Sequence, residues 1–149
     1  MGPGITFDDS LWPLLISHFR GTVPDAAFET YLDRSAEYLR RGELYVNVAD
    51  MGRLKLPSAE QRQLQLDWMR REERALRAQL IGCAFVVSSP LMRLALSTMI
   101  HGVPQHVPYV VMPDLPEAAR WASQRLDDRG LSEAARRVRQ RYGMPHARS

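Results

Sequence analysis

The sequence predicts an α/β domain: a mainly parallel five-stranded sheet carrying about four to five helices. Three observations lead there. From residue 43 onward, β-rich stretches alternate with amphipathic ones. The segments between the β-rich stretches are long enough to be crossovers, which parallel strands require. Residues 82–88 (GCAFVVS) are apolar on both faces, as a strand buried inside a parallel sheet must be. The chain has 149 residues, 45% hydrophobic and 25% charged, enough for one core without disulfides or metal.

The elements follow in order. Residues 5–8 and 14–19 are short apolar-rich runs separated by Asp9, Ser10 and Pro13, which predicts a strand pair with a tight connection. Thr22-x-x-Asp25 places an oxygen acceptor at a helix cap and an acid in its first turn. Phe28, Tyr31, Leu32, Ser35 and Leu39 continue that helix until Gly42 stops it. Residues 43–49 (ELYVNVA) alternate as a strand, and 51–57 are expected to be a loop. Ser58-x-x-Gln61 is a capping box ahead of a long helix reaching about Leu80, with Leu64, Trp68, Met69, Ala75, Leu76 and Leu80 on one stripe. Asp67 with Arg71, and Glu73 with Arg77, are expected i,i+4 pairs on its wet side. Ser89 caps the next helix, Pro90 takes its first position, and it ends near His101. Residues 107–112 form the last strand. Asp114-x-x-Glu117 caps a helix bearing Leu115, Ala118, Ala122 and Leu126, ending at Gly130, and 131–142 form a further short helix with a basic face. The expected division is one domain over 1–130 and a basic helix and tail over 131–149.

Composition narrows the function classes. Net charge is +3, but residues 1–130 carry 15 basic and 16 acidic groups, while 131–149 carry five arginines against Glu133 alone. A neutral body argues against a nucleic-acid partner, which needs a basic face on the folded domain. The longest uncharged apolar stretch, 80–92, is too short for a membrane span and contains Ser88, Ser89 and Pro90. No secretory signal is expected, and the single cysteine, Cys83, fits a reducing compartment, so the expected location is cytoplasmic. His18, His101, His106 and His146 match no zinc spacing. No nucleophile elbow, phosphate loop or dinucleotide fingerprint occurs, so no enzyme, cofactor or metal is expected.

Candidate binding residues sit at expected strand ends, where open parallel sheets gather ligands. Asp50, Ser88, Ser89 and Arg93 would offer a carboxylate, hydroxyls, helix N-terminal donors and a guanidinium to an anion or small ligand. The alternative is that Asp50 is a loop aspartate, Ser89 only a cap and Arg93 a solvated residue. Ser58 opens a helix where a phosphate would be electrostatically welcome; its alternative is a plain capping serine. Cys83 and Trp12, Trp68 and Trp121 read as core residues. The helix after Ser89 is apolar nearly all round. If Leu91, Leu94, Ala95 and Thr98 face the sheet, then Met92, Leu96, Met99 and Ile100 need a second cover, whether the C-terminal helix, a second copy or another protein.

Four stretches carry a resemblance: ITFDDSLWPLLISHFRG (5–21), QRQLQLDWMRREERALR (61–77), AFVVSSPLMR (84–93) and DLPEAARWA (114–122). Together they resemble bacterial STAS-like domain proteins, and within them the stand-alone members described as anti-sigma-factor-antagonist-like or as joint STAS and CRAL-TRIO proteins. The likeness spans about residues 5–128. It implies a non-enzymatic module acting through protein contact, in partner switching for example, with Ser58 as the positional counterpart of a regulatory phosphosite. MGRLKLP (51–57) stands where antagonists carry an Asp-Ser-Ser-Gly-type motif. The lipid-transfer side of the resemblance implies an apolar ligand, which ranks lower because the chain is expected to lack the extra helices that roof such a cavity. The leading expectation is therefore a regulatory or scaffold module with a protein partner, self-association included, and the second is a small-molecule binder. A deep pocket with converging polar groups would favour the second, and a flat apolar surface at Met92, Leu96 and Met99 the first.

Overall fold

A computed structural model describes residues 4–101 and 107–144. His106, His146 and the last five residues of the expected tail lie outside them. The chain begins as an antiparallel hairpin of β1 (Gly4–Leu11) and β2 (Leu14–Gly21), closed where the Trp12 amide donates to the Asp9 carbonyl at 2.9 Å. Then come α1 (Asp25–Arg40), β3 (Tyr45–Leu54), α2 (Ala59–Arg71), α3 (Glu73–Gln79), β4 (Leu80–Val86), α4 (Pro90–Ile100), β5 (Tyr109–Met112), α5 (Leu115–Asp128) and α6 (Ser132–Arg141). The strands lie in the order β1-β2-β3-β4-β5, with β2 to β5 parallel to one another. The sheet is thus mixed, its one antiparallel pair being the hairpin, and among the described residues it carries six helices rather than four to five.

Strand alternation builds two cores. Leu14 and Ile16 of β2 and Val46 and Val48 of β3 point to one face, where they pack with Ala118, Ala122 and Leu126 of α5 and Val138 of α6. Leu15 of β2 and Tyr45 of β3 point the other way, to Phe28 and Leu32 of α1, Trp68 of α2 and Leu76 of α3. The small side chains of α5 let it lie close to the sheet. Gly82 is part of that fit, because a Cβ there would come within 2.9 Å of the Trp121 ring.

Local signals held where short-range chemistry decides. Ser89 accepts from the Met92 amide at 3.3 Å, Asp114 from the Glu117 amide at 2.9 Å, and Gly42 and Gly130 adopt φ of +70° and +78° after their helices. Four expectations change. Thr22 does not cap α1; Pro24 occupies the cap and holds Val23 before it in extended backbone, so the helix cannot start earlier. The expected loop 51–57 is strand as far as Leu54, because Arg53 and Leu54 pair with Arg20 and Gly21 of β2. The long helix breaks at Glu72, and Leu80 already belongs to β4. Arg77 pairs with Glu73 at 2.7 Å as expected, but Asp67 takes Arg70 at 3.6 Å and Gln63 at 2.9 Å rather than Arg71. Among the described residues no helix is long and apolar enough to cross a membrane.

Candidate functional site

The residues proposed as one anion site do not converge. Asp50 lies inside β3, between Ala49 and Met51, which face the α1–α4 side; its own side chain therefore faces the α5 side. There its Oδ2 is 3.0 Å from Nδ1 of His18, its register partner on β2, and its Oδ1 accepts from the Gly52 amide at 3.3 Å. Ser88, Ser89 and Arg93 are exposed around the start of α4, which packs on the opposite side of the sheet. The sequence reading placed Asp50 at a strand end, but β3 runs on to Leu54, and Asp50 lies in register with Val86, the last residue of β4.

The faces of α4 are also the reverse of those expected. Met92 and Leu96 are buried against Val87, with Met51, Leu54, Phe85, Met99, Ile100 and Val111 packed around them. Leu91 and Leu94, expected to face the sheet, are 63% and 69% exposed. The Thr98 side chain lies outside the described residues. Two apolar stripes of similar strength run along this helix, and only the direction in which β4 delivers the chain decides which one turns inward. The cover for Met92 and Leu96 is the sheet end itself; α6 packs with α5 on the far side.

Ser58 is the cap of α2, its Oγ accepting from the Gln61 amide at 3.0 Å. The side-chain amide nitrogen of buried Gln61 donates to the Val23 carbonyl at 2.8 Å and to Asp25 Oδ1 at 2.9 Å, tying α2 to the start of α1. Ser58→Ala is expected to cost about 1 kcal/mol and Ser58→Asp almost nothing, since aspartate caps as well; urea unfolding of both variants checks this.

Between the sheet and the α1–α4 layer lies a cavity of about 130 Å3. Its floor is Leu15 and Ser17 of β2, Asn47 of β3 and Cys83 and Phe85 of β4; its roof includes Phe28 and Tyr31 of α1, Gln65 and Trp68 of α2, and Leu96 and Met99 of α4. The roof expected to be absent is therefore supplied by the crossover helices themselves. Among the described residues that line it, none is Asp, Glu, Lys, Arg or His. Three of its polar groups meet at the centre of the sheet. Ser17 Oγ donates to Asn47 Oδ1 at 3.3 Å, and Asn47 Nδ2 donates to the Cys83 sulfur at 3.9 Å. Ser35 Oγ donates to the Tyr31 carbonyl at 2.8 Å.

Burial keeps every ionisable group here neutral. Desolvation pushes the Cys83 thiol up to about 12, against a smaller opposing hydrogen bond from Asn47. Desolvation likewise raises the Tyr31 and Tyr45 hydroxyls well above the ordinary phenol range. Cys83 is thus a core residue, as expected, and no thiolate nucleophile. Among the described residues, no three His, Cys, Asp or Glu side chains are grouped to hold a metal.

The sequence reading missed Ser17, Asn47 and Gln65. The signal was present: each is an uncharged polar residue at the inward spacing of its element. Ser17 stands between Leu15 and Phe19, Asn47 between Tyr45 and Ala49, and Gln65 between Gln61 and Trp68 at helical spacing.

No family model matches the chain and no curated protein matches it. Among solved structures it is similar to an uncharacterized protein of the DUF3478 family from Shewanella loihica PV-4, described as having a SpoIIAA-like fold. The two share 15% identity at a TM-score of 0.61, over 81% of this chain and 94% of that one. The order of strands and helices built up above is therefore that of a SpoIIAA-like, or STAS-like, fold.

Proposed function

We propose that the chain is a non-enzymatic STAS-type module that binds a small apolar molecule in the cavity between its sheet and helices α1–α4. The observation that carries this reading is the cavity itself: about 130 Å3, walled largely by apolar side chains, with a few polar groups meeting on its floor. An engineered apolar cavity of about 150 Å3 is large enough to take up benzene, so a space of this size suits a single ring or a short chain. Among the described residues no nucleophile–base pair lines it, so binding rather than turnover is the activity it supports. Toluene at ten times its dissociation constant is expected to stabilise the wild type by about 1.4 kcal/mol. Ala49→Leu, which fills the cavity from the floor, is expected to abolish that gain while the protein stays folded. An equal thermal shift in both proteins would place the toluene elsewhere and reject the reading.

A regulatory role through protein contact is the second reading, favoured by Leu91 and Leu94, which α4 holds in solvent. The same helix walls the cavity through Leu96 and Met99, so occupancy of the cavity and the surface of α4 would be read together. Phosphorylation of Ser58 would act at the neighbouring wall, since Pro57 and Gln61 line the cavity beside it. If α4 joins two copies, the Leu91→Glu/Leu94→Glu variant sediments as a folded monomer where the wild type associates. Identical sedimentation of the two at every concentration would remove self-association.

A further inference from the structure

We propose that the cavity selects an uncharged, ring-sized ligand bearing a single oxygen acceptor, and that Asn47 Nδ2 is the donor that anchors it. This rests on the cavity reading above and names the chemical class of its ligand.

Two sets of observations lead to it. The first is the charge inventory. Among the described residues, no cationic side chain lines the cavity to receive a carboxylate or phosphate, and no anionic one to receive an amine. An ionised ligand would lose its water without gaining a counter-charge, a penalty far larger than the gain from burying one ring. The thiol and phenol groups inside add no compensating charge, because burial holds them protonated.

The second is the state of the donors at the centre of the cavity floor, where Ser17, Asn47 and Cys83 meet, away from Gln65, which bonds to the Tyr31 hydroxyl on the roof. Gln61 spends its amide nitrogen on the Val23 carbonyl and the Asp25 carboxylate. Ser17 spends its hydroxyl proton on Asn47, and Ser35 its own on the Tyr31 carbonyl. Asn47 Nδ2 carries two protons, and the partner it meets is the Cys83 sulfur at 3.9 Å, a weak acceptor. Asn47 sits mid-strand on β3, flanked by β2 and β4, so its position is fixed by the sheet on both sides. Ser17 holds the amide oxygen, which leaves the nitrogen turned to the sulfur side, where a ligand oxygen would be a far better acceptor than the thiol. A ketone, ether or alcohol oxygen fits that donor.

The test is a matched series of one-ring probes on the intact protein at neutral pH: toluene, acetophenone, benzoate and benzylamine, read by calorimetric titration. Acetophenone is expected to bind about five- to tenfold more tightly than toluene, the worth of one added hydrogen bond. Benzoate and benzylamine are expected to bind at least roughly 100-fold more weakly than acetophenone. In Asn47→Leu the ratio of acetophenone to toluene affinity is expected to fall to about one, whatever the added volume does to either affinity alone. The wild-type series alone decides the charge selection, so the test does not depend on that variant folding. Toluene binding accompanied by benzoate or benzylamine binding of similar strength would overturn the inference and leave the cavity reading standing. So would an acetophenone preference that survives in folded Asn47→Leu. Failure of every probe, toluene included, would overturn both.

Discussion

Trp68→Ala is expected to lower the stability of the domain by roughly 3–5 kcal/mol, the usual cost of removing a buried tryptophan side chain. The residue is 7% exposed and belongs to the core that joins α1, α2, α3 and the sheet. It also walls the cavity, so its removal leaves a larger void continuous with the existing one. The surroundings cannot collapse freely, because α2 is tied to α1 by the Gln61 hydrogen bonds and to the sheet through β3 and α3. Urea unfolding should therefore show a lower midpoint with little change in slope. The enlarged cavity should accept a two-ring hydrocarbon such as naphthalene better than the wild type does. A loss below about 1 kcal/mol would mean that Trp68 is not a structural wall.

Asp127→Ala is expected to cost roughly 2–3 kcal/mol, more than an exposed ion pair ever returns. Arg139 of α6 keeps only 10% of its side chain exposed, and Asp127 of α5 keeps 23%; they meet at 2.6 Å. Removing the carboxylate strands a guanidinium that water reaches poorly. Asp127→Ala combined with Arg139→Met should recover much of the loss, since no charge is then left buried. A double-mutant cycle by chemical denaturation measures the coupling directly. A nearly neutral Asp127→Ala would mean that Arg139 finds water in solution and that the pair does not secure α6 to α5.

Arg139 illustrates how a residue's type conceals its setting. By composition it belongs to the basic end of the chain, with Arg136, Arg137 and Arg141. In the fold, Arg136 pairs with Glu133 one turn away and Arg137 reaches the Trp12 carbonyl, both near the surface, while Arg139 turns inward beside Val138. The helical stripe of Ala134, Ala135 and Val138 sets that direction, and the charge follows it. Gln61 is similar. Its spacing from Ser58 is that of a capping box, but in the fold its buried amide nitrogen is committed to the Val23 carbonyl just before α1 and to Asp25 at its start.

What the sequence determined by itself is the kind and order of the elements: the leading hairpin, the alternation of strands and helices, the caps at Ser58, Ser89 and Asp114, and the stops at Gly42 and Gly130. These rest on periodicity and on hydrogen bonds spanning two to five residues, so the information lies within a short window of chain. The tertiary structure alone decided three matters. It extended β3 and paired Asp50 with His18 on the sheet face opposite α4. It chose Met92 and Leu96 over Leu91 and Leu94 as the inward side of α4. It assembled a cavity from Ser17, Asn47, Gln65 and Cys83, on four different elements. Each of these depends on contacts between residues tens of positions apart. Their formation is governed by the register of neighbouring strands and by which of two comparable apolar faces the sheet covers, neither of which any local stretch of sequence encodes.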